Sequence, residues 1–525
     1  MKKIFRLLTS GLVLSALAFS FTACSEDYMD KINEDKDSAK DAASKFIIPD
    51  LMLRTAQNVI GGDFNTYIGS YVEYWAGTHN QLYQAEKRNA EVRLSSTFNN
   101  GWGDIFYLIR NAKLTIDKSK SEVPEAVQAR AIAETMLAYI LAEATDLFGD
   151  VPYTEVGNAW DTPYPNADSQ ESIYTEIFRL LDDAAATFAT NPASVGGQDF
   201  IYGGSNTAWI KFINGLKARY TLRLNNRSSN LAKVIEYVDA SFSSAAEQAS
   251  MPYSGTNNQN PLFDFEWSRD GISSCTSMWN KLMERNDPRV DRVYWHSNDW
   301  SYYPGVDAED VLAPTGSPTE SQGQYVYDVF MFAEKAPVHF LSYHELMFIK
   351  AEAQARLGQT AAAKETLLEA MKAAFANREV SIQAAFDAPS VNAYGGIAQS
   401  WEDEDEVKHD IKVLKPEESD ALAEEYFNDT VEALFDADPL KEVMLQKYIG
   451  LWGGNGEAAE TYADIRRLKA EGKGDIYGLI NPGKFPLRCP YGNDDVVANP
   501  NISPLYTDAG NYVFTENVWW AGGSR

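Results

Sequence analysis

Cysteine and histidine are scarce in this chain, with three and five among 525 residues. So few cysteines cannot build a disulfide framework, and a chain this long does not need one to bury a core. No paired-cysteine spacing and no His-Glu-x-x-His run occurs, so the common zinc patterns are missing. His339 and His344 stand five apart, on different faces of any helix. A phosphate-cradling Gly-Lys loop and a nucleophile elbow are also lacking. Basic residues number 46 against 75 acidic ones, for a net charge of −29. Such a surface repels phosphate backbones and anionic lipid, which argues against nucleic acid as a partner. Beyond the first two dozen residues no apolar run approaches the roughly 20 that a membrane span requires.

What is present begins with that N-terminal run. Lys2, Lys3 and Arg6 precede the apolar stretch from Leu7 to Phe21, and Thr22-Ala23 lead into Cys24, so residues 1–23 read as a secretory signal. A cysteine directly after small residues resembles a bacterial lipobox, with Phe21 where that pattern usually has Leu. The resemblance implies that Cys24 is acylated and becomes the new N-terminus. Ser25-Glu26-Asp27 resemble the acidic signal that carries some lipoproteins to the outside of the outer membrane. Residues 24–45 are polar, charged and poor in large apolar side chains, which suits a flexible tether. The remaining cysteines, Cys275 and Cys489, read as one disulfide or two buried thiols, and buried thiols are expected because an ample core needs no bridge.

From residue 46 the chain reads as helices. Ser342 and Glu345 have the spacing of a capping box, Phe348, Ala351 and Ala355 make an apolar stripe, and Gly358 ends the helix. Thr360 is expected to cap a second helix whose face is Ala363, Leu367, Ala370 and Ala374, giving a helical hairpin over residues 342–375. One such hairpin cannot bury its own face and resembles a tetratricopeptide unit that needs neighbours. Further helices are expected over Ile47–Ile60, Trp102–Leu114, Pro124–Phe148, a segment after an Asp168-Ser-Gln-Glu171 box, and Lys441–Leu468 with a Gly453-Gly454-Asn455-Gly456 turn. The expected fold class is therefore all-α, a helical-hairpin scaffold in one domain over residues 46–525, with a loop-rich insertion at about 250–335.

Aromatic side chains outside helical periodicity point to ligand binding. Flat rings stack on a sugar face, and amides supply paired donors and acceptors to its hydroxyls. Trp267, Trp295, Trp300, Tyr302 and Tyr303 fall in the loop-rich segment, and the stretch Trp295 to Gly305 is the leading candidate. Trp75, Asn80 and Tyr83 are a second candidate group, whereas Tyr67 and Tyr71 are expected to be a buried helix stripe. The acidic run Glu402 to Glu406 reads as a solvated face rather than a calcium loop, since it lacks alternating ligands and a turn glycine. Neither a metal nor a cofactor is expected.

The order of several blocks resembles the SusD/RagB family: RNAKLTID at Arg110 to Asp117, DLFGDVPYTE at Asp146 to Glu155, SIYTEIFRLLDDA at Ser172 to Ala184, and DFIYGGSNTAWIKFINGLKARYTLRL at Asp199 to Leu224. PLFDFE at Pro261 to Glu266, NDPRV at Asn286 to Val290, the 342–375 hairpin and QKYIGLWGGNGEAAETYADIRRL at Gln446 to Leu468 extend it over nearly the whole mature chain. The resemblance implies a scaffold of about four tetratricopeptide-like helix pairs whose irregular segments carry the ligand, in a lipid-anchored outer-membrane protein facing the cell exterior. Such a protein captures oligosaccharides and delivers them to a SusC-like TonB-dependent transporter. Two other readings are a glycoside hydrolase of helical-barrel type, for which two suitably spaced carboxylates would suffice, and a peptide-binding member of the same family. An adaptor that binds protein through its repeats is a further alternative.

Overall fold

A computed structural model describes residues 42–158, 160–298, 301–304, 311–397, 400–402, 408–410 and 412–525. For 295–298, 301–304, 400–402 and 408–410 the backbone alone is described.

The helices that carry the argument are, in chain order, α1 (Ile48–Arg54), α2 (Asp63–Tyr71), α3 (Asn80–Glu86), α4 (Asn99–Ser121), α5 (Val127–Phe148), α6 (Gln170–Ala189), α7 (Asn206–Arg223), α8 (Leu231–Asp239), α9 (Pro261–Arg269), α10 (Thr276–Glu284), α11 (Tyr343–Arg356), α12 (Thr360–Phe386), α13 (Pro416–Tyr426), α14 (Pro439–Leu451) and α15 (Ala458–Ala470). Each long helix from α4 to α8 packs on the next in sequence. Helix α8 then meets α11, which pairs with α12 and also touches α14. The fold is all-α, with α4/α5, α6/α7, α11/α12 and α14/α15 as its helix pairs. Residues Ser44–Arg525 form one unit. Strands are few and short, and the described strand pairs are antiparallel; they include β1 (Ala76–Gly77) with β2 (Ile272–Ser273) and β3 (Tyr294–Asn298) with β4 (Ser301–Pro304).

Caps follow the expected residues, although their side chains are shared differently. Ser342 accepts from the Glu345 amide at 3.1 Å, which is half of a capping box. The other half is missing because Glu345 turns into the core, where its carboxylate grips the Arg219 guanidinium at 2.8 and 2.5 Å. A buried guanidinium without a carboxylate costs far more than one unfilled cap bond, so the ion pair takes the side chain. Gly358, at φ 71°, ends α11 as expected. Thr360 is the first helical residue rather than the cap, and α12 continues eleven residues beyond the expected end at Phe375. At α6 the cap is Ser169, while Asp168 accepts from the Tyr153 and Thr154 amides at 2.9 and 2.8 Å.

Buried ion pairs tie the helices together. Arg467 on α15 meets Glu352 on α11 through two parallel bonds of 2.6 and 2.8 Å and also reaches Asp464 at 2.8 Å. Burial alone would raise the Glu352 carboxyl, yet Arg467 and Arg356 hold it well below the usual range. Arg223 on α7 joins Asp146 of α5 and Glu460 of α15. Aromatic packing supplies the rest: Trp102 lies edge-on to Phe148 at 4.9 Å and to Tyr491 at 5.7 Å, and donates to Asp495 at 2.7 Å. Cys275 and Cys489 are free, buried thiols, and burial pushes both up to about 12.

The segment from residue 250 holds more regular structure than its composition suggests. Pro261 occupies the first turn of α9, and the preceding Asn260 accepts from the Leu262 and Phe263 amides at 2.9 and 3.3 Å. Helix α10 and the β3–β4 hairpin follow. Short elements of nine or fewer residues give too few turns for a periodic apolar stripe to show in the sequence.

Candidate functional site

Helix α9 presents a different surface on each of two faces. On one, Phe263 stacks under Trp267 at 5.5 Å with rings 17° apart, and Trp267 in turn meets Tyr394 at 5.8 Å and 56°. Residues four apart share a helix face, so the buried Phe263 props up the Trp267 ring. Trp267 is 42% exposed and Tyr394 72%. The pair is a tilted, solvent-facing aromatic platform. Tyr394 is held by a tight turn in which its amide and that of Gly396 both bond to the Val391 carbonyl, at 3.0 and 3.1 Å, with Gly396 at φ 76°.

On the other face Pro261, Asp264, Phe265 and Ser268 line a cavity of about 650 Å³, a size within the roughly 300 to 1,000 Å³ of small-molecule sites. Its walls carry six amide side chains: Gln57, Asn58, Asn80, Gln81, Asn100 and Gln322. These come from α3, α4 and the segments around them, so separate parts of the chain converge on one space. Charge inside is modest, with Asp63 and Asp264 against Arg269. Burial raises the Asp63 carboxyl, opposed by its hydrogen bond with Asn100 and by the Arg269 charge. Many forked donors and acceptors, with Phe265 as an apolar wall, suit a neutral hydroxyl-rich ligand.

Among the candidates named from sequence, Trp267 stands in the platform and Asn80 in the cavity wall. Asn80 adopts φ 51°, and its amide donates to Glu320 at 3.2 Å. Trp75 is corrected: it is 1% exposed, its indole donates to the Thr66 carbonyl at 2.9 Å, and a Cβ on Gly69 would sit 2.0 Å from its ring. The ring is therefore sealed in the core against the α2 backbone and out of a ligand's reach. Tyr83 is half-buried, with Lys87 donating to its hydroxyl at 3.0 Å, and it does not line the cavity. Tyr67 and Tyr71 are buried, as a helix stripe should be. Trp300 lies outside the described residues. For Trp295, Tyr302 and Tyr303 the described facts are strand positions: Trp295 pairs with Pro304, His296 with Tyr303 and Ser297 with Tyr302.

Sequence reasoning missed Tyr394 and five of the six amides. Amides scattered over residues 57–322 carry no periodic or spaced signal; only the fold gathers them. Among the described residues no cluster of metal-binding side chains occurs, and no helix is long and apolar enough to cross a membrane.

Comparison with known proteins places this architecture. The family SusD-like_2, described as starch-binding and associating with the outer membrane, matches residues 36–491. A SusD/RagB family protein from Bacteroides thetaiotaomicron is 41% identical, with a TM-score of 0.84 over 92% of this chain and all of that one. A SusD homolog from Bacteroides fragilis is 18% identical, with a TM-score of 0.68 over 92% of this chain and all of its own. A chitin-binding protein is also 18% identical, with a TM-score of 0.64 over 91% of this chain and 99% of its own. No curated protein sequence matches. The family match and the likeness to the Bacteroides thetaiotaomicron protein, each over nearly the whole folded unit, establish that this chain belongs to the SusD-like family of outer-membrane-associated nutrient-binding proteins.

Proposed function

We propose that this protein captures neutral oligosaccharides at the cell surface and hands them to a SusC-like TonB-dependent transporter. The observation that carries the reading is the pairing, on two faces of α9, of a solvent-facing ring platform with a cavity walled by six amides. A sugar offers an apolar face and a set of hydroxyls, and these two surfaces offer their complements. That a chitin-binding protein shares the fold agrees with a saccharide ligand. Acylation of Cys24 would hold the protein on the membrane with its ligand face toward the exterior. Capture without chemistry is the role, and wet contacts of this kind give dissociation constants from micromolar to millimolar, about −8 to −4 kcal/mol, which permits release.

Titration calorimetry of the mature protein against a panel of neutral oligosaccharides, followed by chromatography of the recovered sugar, tests this. Binding with unchanged sugar is expected, and Asn80→Ala and Trp267→Ala should each weaken it. Steady release of shorter sugars would replace capture by hydrolysis, and binding of peptides alone would replace the ligand class. For the anchor, Cys24→Ser should move the protein from the membrane fraction to the soluble one.

A further inference from the structure

A second cavity, of about 530 Å³, lies among α4, α5 and α6, apart from the site above. Helix α4 contributes to both: Asn100 lines the amide cavity and Lys113 the second, thirteen residues or roughly 20 Å away at 1.5 Å per residue. The floor is apolar, made by Ile116, Leu137 and Leu180, with Tyr153 beside it. Tyr153 is fixed as a wall: its hydroxyl donates to Glu176 at 2.8 Å and the Lys113 ammonium lies 5.0 Å from its ring centre.

Four cations and three carboxylates, Asp117, Glu134 and Asp183, line this space, an excess of positive charge in a protein of net charge −29. Lys113 is spent on the carbonyls of Tyr153, Thr154 and Val156 at 3.0, 3.1 and 2.7 Å, and Arg179 on Glu176 and Asp183. Arg130 and Lys120 differ. Neither side chain has a hydrogen bond among the described residues; the nearest carboxylates stand 4.0 Å from Arg130, at Glu125 and Glu134, and 3.8 Å from Lys120, at Asp117. Arg130 is also three-quarters buried, so its charge is less screened than that of a fully exposed arginine. Beside it Glu134 is only 8% exposed, and its Oε2 has no hydrogen-bond partner. An apolar floor and ring, two cations whose carboxylates stand at 3.8 to 4.0 Å and a buried carboxyl oxygen without a hydrogen-bond partner meet in one space.

We infer that this cavity binds a sugar acid, a uronate residue of an acidic glycan. Its carboxylate meets Arg130 and Lys120, its ring face lies on Tyr153 and the leucines, and its hydroxyls donate to Glu134 and Asp183. Neutral sugars bring no charge to shorten the loose pairs of Arg130 and Lys120 and are selected against there. The inference does not rest on the neutral-glycan site, which has its own residues.

The test titrates the mature protein with trigalacturonate and, separately, with the neutral galactose trisaccharide. At the second site the acid should bind at least tenfold more tightly than the neutral sugar. Arg130→Gln should cost tenfold or more of that affinity, and Lys120→Gln several-fold. Lys120 is half exposed, so its variant should keep its melting temperature and guards against a folding artefact. Asn80→Ala should leave trigalacturonate binding unchanged while weakening neutral glycans, so failure of either site is seen on its own. Raising salt to about 0.5 M should weaken the acid, because a partly exposed ion pair is screened. Equal binding of acidic and neutral sugars, indifference to both substitutions, or displacement by acetate at equal concentration would each overturn the inference.

Discussion

The hairpin scaffold and the irregular segment around α9 solve the same problem in opposite ways. In α11 and α15 the helix satisfies its own backbone, so side chains are free to pack and pair, as Arg467 and Glu352 do. Around α9 the described chain between the short helices and strands has fewer such partners, and buried side chains supply some of them. Asn260 accepts from two amides and donates to the Ala336 and Gly454 carbonyls at 2.9 and 2.8 Å. Glu334 accepts from the Thr256 and Ser390 amides at 2.9 and 2.8 Å and from the Gln259 side chain at 2.8 Å. Buried polar side chains are thus glue between helices in one region and substitutes for secondary structure in the other. The second arrangement leaves α9 short and its neighbours irregular, so rings and amides can face solvent without breaking a helix stripe.

The sharpest break in the comparison comes from the scaffold. Arg467→Leu leaves the buried Glu352 carboxylate with Arg356 as its remaining cation and should cost about 3 to 5 kcal/mol in denaturant unfolding. Trp102→Ala should cost a similar amount, about 3 to 5 kcal/mol, by opening a cavity beside Phe148. Neither should alter glycan affinity in the protein that remains folded. In the irregular segment Asn260→Ala removes four hydrogen bonds at once and should cost roughly 1 to 3 kcal/mol, with loss of ligand affinity because α9 loses its cap. A stable variant that binds normally would show that the cap does not position the platform.

Smaller still for stability is Trp267→Ala. Its exposed ring should contribute about 1 to 3 kcal/mol of binding, a loss of roughly five- to 150-fold by calorimetry, while the melting temperature hardly moves. Early melting with normal binding would make it a packing residue.

An effect that changes with pH is expected from Glu143→Gln. Burial, with Glu460 nearby, raises the Glu143 carboxyl to about 8, against about 4.3 in an unfolded chain. The folded state holds the proton more tightly, so this contribution is complete below about pH 4.3 and disappears as pH rises through about 8. Asp328, raised to about 7 by burial, acts in the same direction. Melting temperature should therefore fall between pH 6 and 9, and fall less in Glu143→Gln; an unchanged slope would mean that the carboxyl is already ionised in the core.

Local pattern alone gave the all-α class, the α11/α12 and α14/α15 hairpins and the turn at Gly453-Gly454-Asn455-Gly456, because helix periodicity, caps and turn glycines act within a few residues of chain. Burial of Tyr67 and Tyr71 followed from the same spacing. Tertiary structure decided the rest. Glu345 left its cap for Arg219, 126 residues away, because a buried charge outweighs a cap. Trp75, indistinguishable in sequence from a ligand-facing ring, is sealed by Gly69, whereas Trp267 stays at the surface because Phe263 props its ring from the core side. The six amides of the cavity and the Arg130–Lys120 cavity are products of convergence among distant segments. No local signal records such a meeting, since each residue taken alone is an ordinary polar side chain and only the packed helices fix what stands beside it.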